Sequence, residues 1–375
     1  MYLGDKEDMK KKRIMHGLTE IAGQGYYSVL GLKKMNVDAH MVVYMPNKFG
    51  YPYDKSLNID KSNKKLLPLY ILKLLVYFFY SLFRYDIFHF HFGRSFLLNK
   101  EVWILKLFRK KILYEFHGSD VRDYKLALKR NKYFPFSGDE ENQKKLKKRN
   151  RKICKIADGI IIHDYELRAY LPQKQKNVFY VPLRLDIALF APCYPQLNVE
   201  QVTIVHAPSN SDGKGTKYII DAIDKLKAKY PINFILVQNQ TQDKAIEIYK
   251  KADIIVDQLY GGTYGVFAIE GMALGKPVIT YIMEDVINTF PKELPIQSAN
   301  IDNIENVLEK LILSPQLRYE LGRDGRRYAE NYHDYKNIAI YLKRIYDGKQ
   351  EPVSTRKAFE NIKEISLSEG VSNNI

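Results

Sequence analysis

The sequence predicts an α/β fold built as two doubly wound parallel-sheet domains facing a central cleft. Three observations predict it. The 375 residues exceed what one ordinary core accommodates and match two domains of common length. Short apolar stretches alternate with helical patterns from end to end, as parallel strands and their covering helices do. Pro182, Pro192 and Pro195 interrupt any regular element around Leu183 to Val199, which marks a join. The predicted division is 1–190 and 191–335, with 336–375 as a separate C-terminal segment.

In the first half, strands are predicted at Arg13–His16, His40–Tyr44, Asp86–His91, Ile112–His117, Gly159–His163 and Val178–Val181. In the second half they recur at Val202–His206, Asn233–Val237, Ile254–Asp257 and Pro277–Tyr281, again with helices between. Met1–Lys10 and Glu351–Ile375 are polar with little periodicity and are expected to fray. No internal repeat or low-complexity tract is present.

Hydrophobic residues at 46% and charged residues at 27% describe a globular chain, and two cysteines, Cys154 and Cys193, are too few for a disulfide framework. The start is polar and charged rather than apolar, so a cytoplasmic chain is expected. The net charge of +16 is lopsided: residues 1–190 carry 37 Lys and Arg against 19 Asp and Glu, while the remainder carry 22 against 24. A one-sided positive field attracts phosphates of a polynucleotide or of an anionic bilayer.

Leu66–Phe83 is almost entirely apolar and aromatic and follows Lys61, Lys64 and Lys65. Pro68, Lys73 and the limiting length argue against a membrane span and fit either an interfacial helix, with Leu66, Phe78 and Phe79 toward the membrane, or a buried helix. The run containing Lys144, Lys145, Lys147 and Lys148 fits a solvated helix face or a membrane and acceptor contact. Helix-turn-helix, zinc and RNP signals are lacking, so no nucleic-acid partner is expected. The expected location is therefore peripheral, at the inner face of the cell membrane.

Ligands of open α/β sheets bind beyond the carboxyl ends of the strands, so the loops there carry the candidate site. Gly23, Gln24 and Gly25 follow the first strand, where glycines let amides approach a phosphate at a helix N-terminus, or simply serve the turn. His117 heads His117-Gly118-Ser119-Asp120 and can hydrogen-bond a sugar hydroxyl, although the loop also reads as a helix cap. His89 and His91 share one strand face; with no third ligand apparent they read as core or cleft-edge residues, and no metal is expected. Ser209, Asn210, Gly213, Lys214 and Gly215, before a helix expected near Lys217, offer hydroxyls, amides and a cation to a diphosphate. Thr263, Tyr264, Gly265 and Val266 lie in a glycine-rich loop leading into a helix that carries Glu270 about one turn in, placed to accept from ribose hydroxyls.

Over most of its length the chain resembles the family-4 group of retaining glycosyltransferases, the glycosyl transferases group 1. Glu270–Ile279 is similar to that family's EAMAxGxPVI helix and strand, and Glu270 to the second carboxylate of its Glu-x7-Glu motif. Lys214 matches its phosphate-binding lysine, Gly265 and Val266 its amide-donating loop, His117 the histidine of its HGxD segment, and Gly23–Gly25 its first glycine loop. The resemblance implies a GT-B fold of two Rossmann-like domains: an N-terminal acceptor-binding domain over 1–190 and a C-terminal nucleotide-sugar-binding domain over 191–335. It further implies that 336–375 begins as a helix returning across the hinge.

Two positions depart from the pattern: the first motif Glu falls on Gly262, and the arginine that commonly precedes the Lys-Gly pair has no equivalent between His206 and Asp212. The implied activity is metal-independent glycosyl transfer, with retention, from a nucleoside diphosphate sugar to a hydroxyl of a lipid-linked or saccharide acceptor, as in bacterial surface polysaccharide or glycoconjugate synthesis. His117, Lys214 and Glu270 are its expected catalytic residues, and no cofactor beyond the donor substrate is expected. The alternatives are a non-catalytic membrane or nucleic-acid-binding protein, a degenerate transferase subunit, and a sugar-nucleotide epimerase, the last disfavoured because no acid–base carboxylate pair is visible.

Overall fold

The computed structural model describes residues 12–47, 50–60, 62–136 and 138–372. Seven parallel strands form the N-terminal sheet: β1 (Ile14–Leu18), β2 (Ala39–Val43), β3 (Lys55–Ser56), β4 (Ile87–His91), β5 (Lys111–Glu115), β6 (Gly159–Ile162) and β7 (Val178–Tyr180). Their spatial order is β3-β2-β1-β4-β5-β6-β7. The C-terminal sheet has four parallel strands, β8 (Val202–His206), β9 (Ile232–Leu236), β10 (Ile254–Val256) and β11 (Val278–Ile279), in the order β11-β10-β8-β9. All ten expected strands are present. The two-residue edge strand β3 escaped the sequence reading because Lys55 and Ser56 carry no apolar alternation.

Strand order reverses beside β1 and beside β8, so the loops after both strands open into crevices. Connections between parallel strands are right-handed, which assigns the helices to faces. The crossovers from β3 to β4, β4 to β5 and β5 to β6 all step one way along the sheet. Their helices Leu67–Arg84, Val102–Leu107 and Glu140–Ile156 therefore cover one face. The step from β1 to β2 runs the other way and puts helix Gln24–Lys34 on the opposite face, against helix Tyr335–Tyr346. Gly31 permits that packing, since a Cβ there would lie 2.4 Å from Ala339 Cβ.

The chain crosses between the domains twice, side by side. Leu185 N donates to His333 O at 2.9 Å and Tyr335 N to Leu185 O at 3.0 Å. After the second crossing, Ile338, Tyr341, Leu342 and Ile345 join the core of the N-terminal sheet. The expectation that Glu351–Ile375 frays is corrected: Thr355–Ser372 is a helix that buries Ala358, Phe359, Ile362 and Ile365. Those apolar residues recur at helical spacing, a pattern masked by the polar residues between them. The expectation for Met1–Lys10 lies outside the described residues.

Leu67–Arg84 has one buried face and one exposed apolar face. Tyr70, Leu74, Tyr77, Phe78 and Leu82 are buried, whereas Leu69, Leu72, Val76, Phe79, Tyr80 and Phe83 lie exposed on the other face. Leu66 and Phe79 are exposed as a membrane face requires, but Phe78 is a core residue, corrected by its contacts with Phe96 and Phe79. Lys144, Lys145, Lys147 and Lys148 sit exposed on helix Glu140–Ile156, with Lys145 paired to Glu141 and Lys147 to Asp123.

Candidate active site

A cleft of about 690 Å³ lies between the domains and gathers the loops that follow β1, β5, β6, β8 and β10. Gln24, His117, Ser209, Asn210, Gly213, Lys214, Thr263, Tyr264, Gly265, Val266 and Glu270 all line it. Residues drawn from distant stretches of sequence thus meet in one place. Gly23, Gly25 and Gly215 lie behind this lining.

The β10 loop and the helix after it, Val266–Ala273, are the least saturated part of the cleft. Gly265 is the N-cap residue of this helix, no side chain caps it, and its first turn holds no acidic residue. Free amides at a helix N-terminus carry partial positive charge and suit an anion. Lys214 reaches the same place from the β8 loop, at the end of a short helix, Ser211–Lys214, that precedes the helix expected near Lys217. Asp257 holds both groups: its carboxylate accepts from Lys214 Nζ at 2.8 Å and from Gly265 N at 3.4 Å. A diphosphate here would take over contacts that Asp257 now makes.

Glu270 lies one turn into the helix with its carboxyl buried beside the cleft. Burial pushes it up to about 7, with Asp257 adding and Gln242 opposing. Tyr264 points the other way, into the core, its hydroxyl 3.2 Å from His333 Nε2. Thr263 Oγ1 donates to Asp164 Oδ2 at 2.8 Å, and Asn131 Nδ2 to Tyr260 O at 2.6 Å, so the loop is tied directly to the N-terminal domain. The sequence reading missed Asp164 and Asn131, because nothing local marks a residue whose partner lies about a hundred positions away.

Gly262 stands where the resemblance calls for a glutamate. Its φ is +78°, a left-handed value, and a Cβ would meet the Met283 side chain at 2.9 Å. The loop is therefore built around glycine, and a glutamate at 262 would be strained as well as crowded.

The β1 loop is arranged differently from expectation. The amides of Gly25 and Tyr26 do not face the cleft as free donors, because Glu20 accepts from them at 3.3 and 2.8 Å. Gln24 bonds the backbone of Arg184, accepting at 2.9 Å and donating at 3.0 Å, and so ties this loop to the hinge. Burial, opposed by those amides, pushes Glu20 up to about 7.

His117 has no free ring nitrogen. Its Nε2 lies 3.1 Å from His91 Nδ1 and its Nδ1 3.1 Å from His163 Nε2. The expectation that the ring bonds a sugar hydroxyl is corrected accordingly: this loop instead closes a buried network. His16 supplies the third member that His89 and His91 lacked in sequence, with Nδ1 3.0 Å from His91 Nε2.

Four carboxylates line the cleft, Glu20, Asp164, Asp257 and Glu270, against the expectation that no acid–base pair is present. Burial raises Asp164 to about 6, with Glu166 adding to the rise. They come from the β1, β6 and β10 loops and from helix Val266–Ala273, which is why their proximity was invisible in sequence.

Residues 212–328 match the family model Glycosyl transferases group 1, a stretch that contains Lys214, the β10 loop and Glu270. A curated relative, D-inositol 3-phosphate glycosyltransferase of Rhodococcus erythropolis, is 23% identical over 135 residues, covering 35% of this chain and 30% of the relative. The match thus spans about a third of that protein's length. Among solved structures, Anabaena HepE in complex with UDP and glucose superposes with a TM-score of 0.62 at 12% identity, covering 90% of this chain and 100% of that one. UDP-GlcNAc 2-epimerase of Neisseria meningitidis, bound to UDP-GlcNAc, gives 0.53 at 16% identity, covering 89% and 99%. At such identities the structures establish the fold alone. Residues 212–328 therefore form a glycosyl transferases group 1 domain within a chain of the GT-B fold.

Proposed function

We propose that this chain is a glycosyltransferase that moves a sugar, with retention and without a metal, from a nucleoside diphosphate sugar to a hydroxyl of a lipid-linked or saccharide acceptor, in bacterial surface polysaccharide or glycoconjugate synthesis. The observation that carries it is the uncapped N-terminus of helix Val266–Ala273 opening on the cleft beside Lys214, with Glu270 one turn in. Charge grows on the departing diphosphate, and Lys214 with the amides after Gly265 supplies the opposing charge. The diphosphate oxygen takes the acceptor's proton, and Glu270 accepts from the ribose. Two solved relatives of the fold hold UDP or a UDP-sugar, which supports such a donor.

The test is thermal stability of the purified chain with UDP-, GDP-, ADP- and dTDP-sugars. A donor that raises the unfolding temperature, and loses that effect in Glu270→Ala and Lys214→Ala, supports the site. Unchanged donor titrations in both variants would remove those assignments. The cleft carboxylates keep an epimerase in view; incubating the stabilising donor alone separates the two, since an epimerase alters it without any acceptor.

Peripheral docking on the inner face of the membrane belongs to the same proposal. The exposed apolar stripe of Leu67–Arg84 continues into Trp103, Leu107 and Phe108 on the neighbouring helix, with Phe83 and Phe108 rings 6.0 Å apart. A contiguous apolar surface of this kind marks an interaction site. Between residues 64 and 110 nine Lys and Arg stand against two Asp and Glu, and the lysine-rich helix Glu140–Ile156 lies on the same face of the sheet. That combination suits an anionic bilayer. Sedimentation with phosphatidylglycerol vesicles, compared with phosphatidylcholine vesicles, tests it; equal or absent binding to both would count against it.

A further inference from the structure

Two arginines of the N-terminal domain stand together with no acid paired to either. Arg149, on helix Glu140–Ile156, lays its guanidinium against the backbone of Gly93, the residue before Arg94. A Cβ on Gly93 would lie 2.8 Å from Arg149 Nη2 and 3.0 Å from its Cζ, so only glycine leaves room. The turn that carries Arg94 is fixed: Phe92 and Gly93 both have a φ of +61°, and Asn99 Nδ2 donates to Gly93 O at 3.1 Å.

Arg149 uses two of its nitrogens on structure. Its Nη2 donates to Asp120 O and its Nε to Asn150 Oδ1 at 3.0 Å. Among the described residues, Arg149 Nη1 and the Arg94 guanidinium have no hydrogen-bond partner, neither arginine makes an ion pair, and both side chains are partly open to solvent. Asp120 is an acid whose charge reaches Arg149, but its Oδ1 accepts from the amides of His117 and Gly118, at 2.9 and 2.8 Å. Burial pushes the Arg149 guanidinium down from its ordinary value, Asp120 opposes that shift, and Arg94 adds to it. A phosphate supplies the missing counter-charge and accepts from planar guanidinium forks.

The surroundings of the pair decide which phosphate. The loop His117–Asp120 stands between it and the cleft: His117 lines the cleft, and Asp120, at the other end of the loop, is held by Arg149. The pair is therefore separate from the Lys214 and Gly265 groups assigned to the donor diphosphate. In the other direction the chain runs from Arg94 through exposed Leu98 into helix Val102–Leu107, whose Trp103 and Leu107 belong to the exposed apolar stripe. A molecule with its phosphate on this pair has a route for a hydroxyl-bearing end toward the cleft and for a lipid chain toward the stripe.

We infer that Arg94 and Arg149 bind the phosphate of a lipid-linked acceptor, holding it between the cleft and the membrane-facing stripe. The acceptor's role rests on the transferase reading. Both arginines are positioning residues, touching the acceptor's phosphate rather than the reacting atoms.

The test is calorimetric titration of the full chain with octyl phosphate, and separately with inorganic phosphate and with octyl glucoside, all below micelle-forming concentrations. Octyl phosphate should bind saturably and more tightly than either companion. Arg94→Gln and Arg149→Gln should each weaken it about tenfold or more, with Arg149→Lys, which keeps the charge and loses the fork, falling between. Circular dichroism checks that the variants are folded, and partly exposed Arg94 keeps the test decisive where Arg149→Gln is not. Unchanged affinity for octyl phosphate in folded Arg94→Gln would overturn the inference. So would inorganic phosphate binding as tightly as octyl phosphate, which removes the lipid, or octyl glucoside doing so, which removes the phosphate. A signal lost in Phe79→Ser but kept in Arg94→Gln would place the probe on the apolar stripe and overturn it as well. Failure of every nucleoside diphosphate sugar to bind would instead sink the transferase reading and leave the octyl phosphate result standing.

Discussion

The two walls of the cleft handle polar groups in opposite ways. On the N-terminal wall, polar side chains are tied to one another: Glu20 holds the amides of the β1 loop, Gln24 holds the hinge, and the histidines bond in series down to Glu115 and Arg184. On the C-terminal wall, the N-terminus of Val266–Ala273 has no side-chain cap, and Lys214 and Gly265 share a single carboxylate. A closely tied wall resists rearrangement and fixes shape, because any broken link adds to the buried polar atoms already without a hydrogen bond there, such as Arg184 Nε and Glu115 Oε2. An unsaturated wall has donors left for a ligand. This contrast is why the proposed donor is assigned chiefly to the C-terminal wall.

The largest effect should come from breaking the network of the N-terminal wall. Arg184→Met leaves Glu115 buried without its partner, and chemical denaturation should show a loss of about 3–5 kcal/mol. A change below about 1 kcal/mol would mean that the network is not what holds this wall.

Protonation acts on both walls alike. Burial raises both Glu20 and Glu270 to about 7 from an ordinary value near 4.5. Each folded-state proton is therefore held more tightly than in the unfolded chain. The stabilisation is full below the ordinary value and fades as pH climbs through 7, amounting to roughly 3 kcal/mol per group. Denaturation at pH 5 and pH 8 should show the decline, and Glu270→Gln should flatten part of it. Donor binding should run the other way, strengthening as pH rises through 7, since an ionised Glu270 accepts more strongly from the ribose hydroxyls than a neutral one.

On the open wall, Lys214→Ala should weaken donor binding by about 1.5–3 kcal/mol, roughly a ten- to hundredfold rise in Kd by calorimetry. Gly262→Ala should cost about 1–2 kcal/mol in thermal unfolding, since its left-handed φ and the Met283 contact leave no room for a Cβ. Smallest of all, Phe79→Ser should alter stability by no more than about 0.5 kcal/mol while lowering binding to anionic vesicles.

The open wall was the more legible in sequence. Its glycines, Lys214 and Glu270 lie in two continuous stretches, and their chemistry follows from spacing alone. The strands were legible for the same reason, each being a local run of β-branched and aromatic residues. The N-terminal wall was not, because its links join residues far apart in the chain: His16 to Tyr346, His117 to His163, Gln24 to Arg184. A histidine in a strand looks the same in sequence whether its nitrogens are free or bonded. The helix Thr355–Ser372 was missed because its four buried residues are outnumbered by polar ones.

The most direct test of the central claim is calorimetric titration of the wild-type chain and of Glu270→Ala with the nucleoside diphosphate sugar that most stabilises the wild type. The expected result is saturable binding to the wild type, at least tenfold weaker in the variant, with Arg184 and the histidine chain intact in both. Equal affinity in the two proteins, or no binding of any such donor to the wild type, would contradict it.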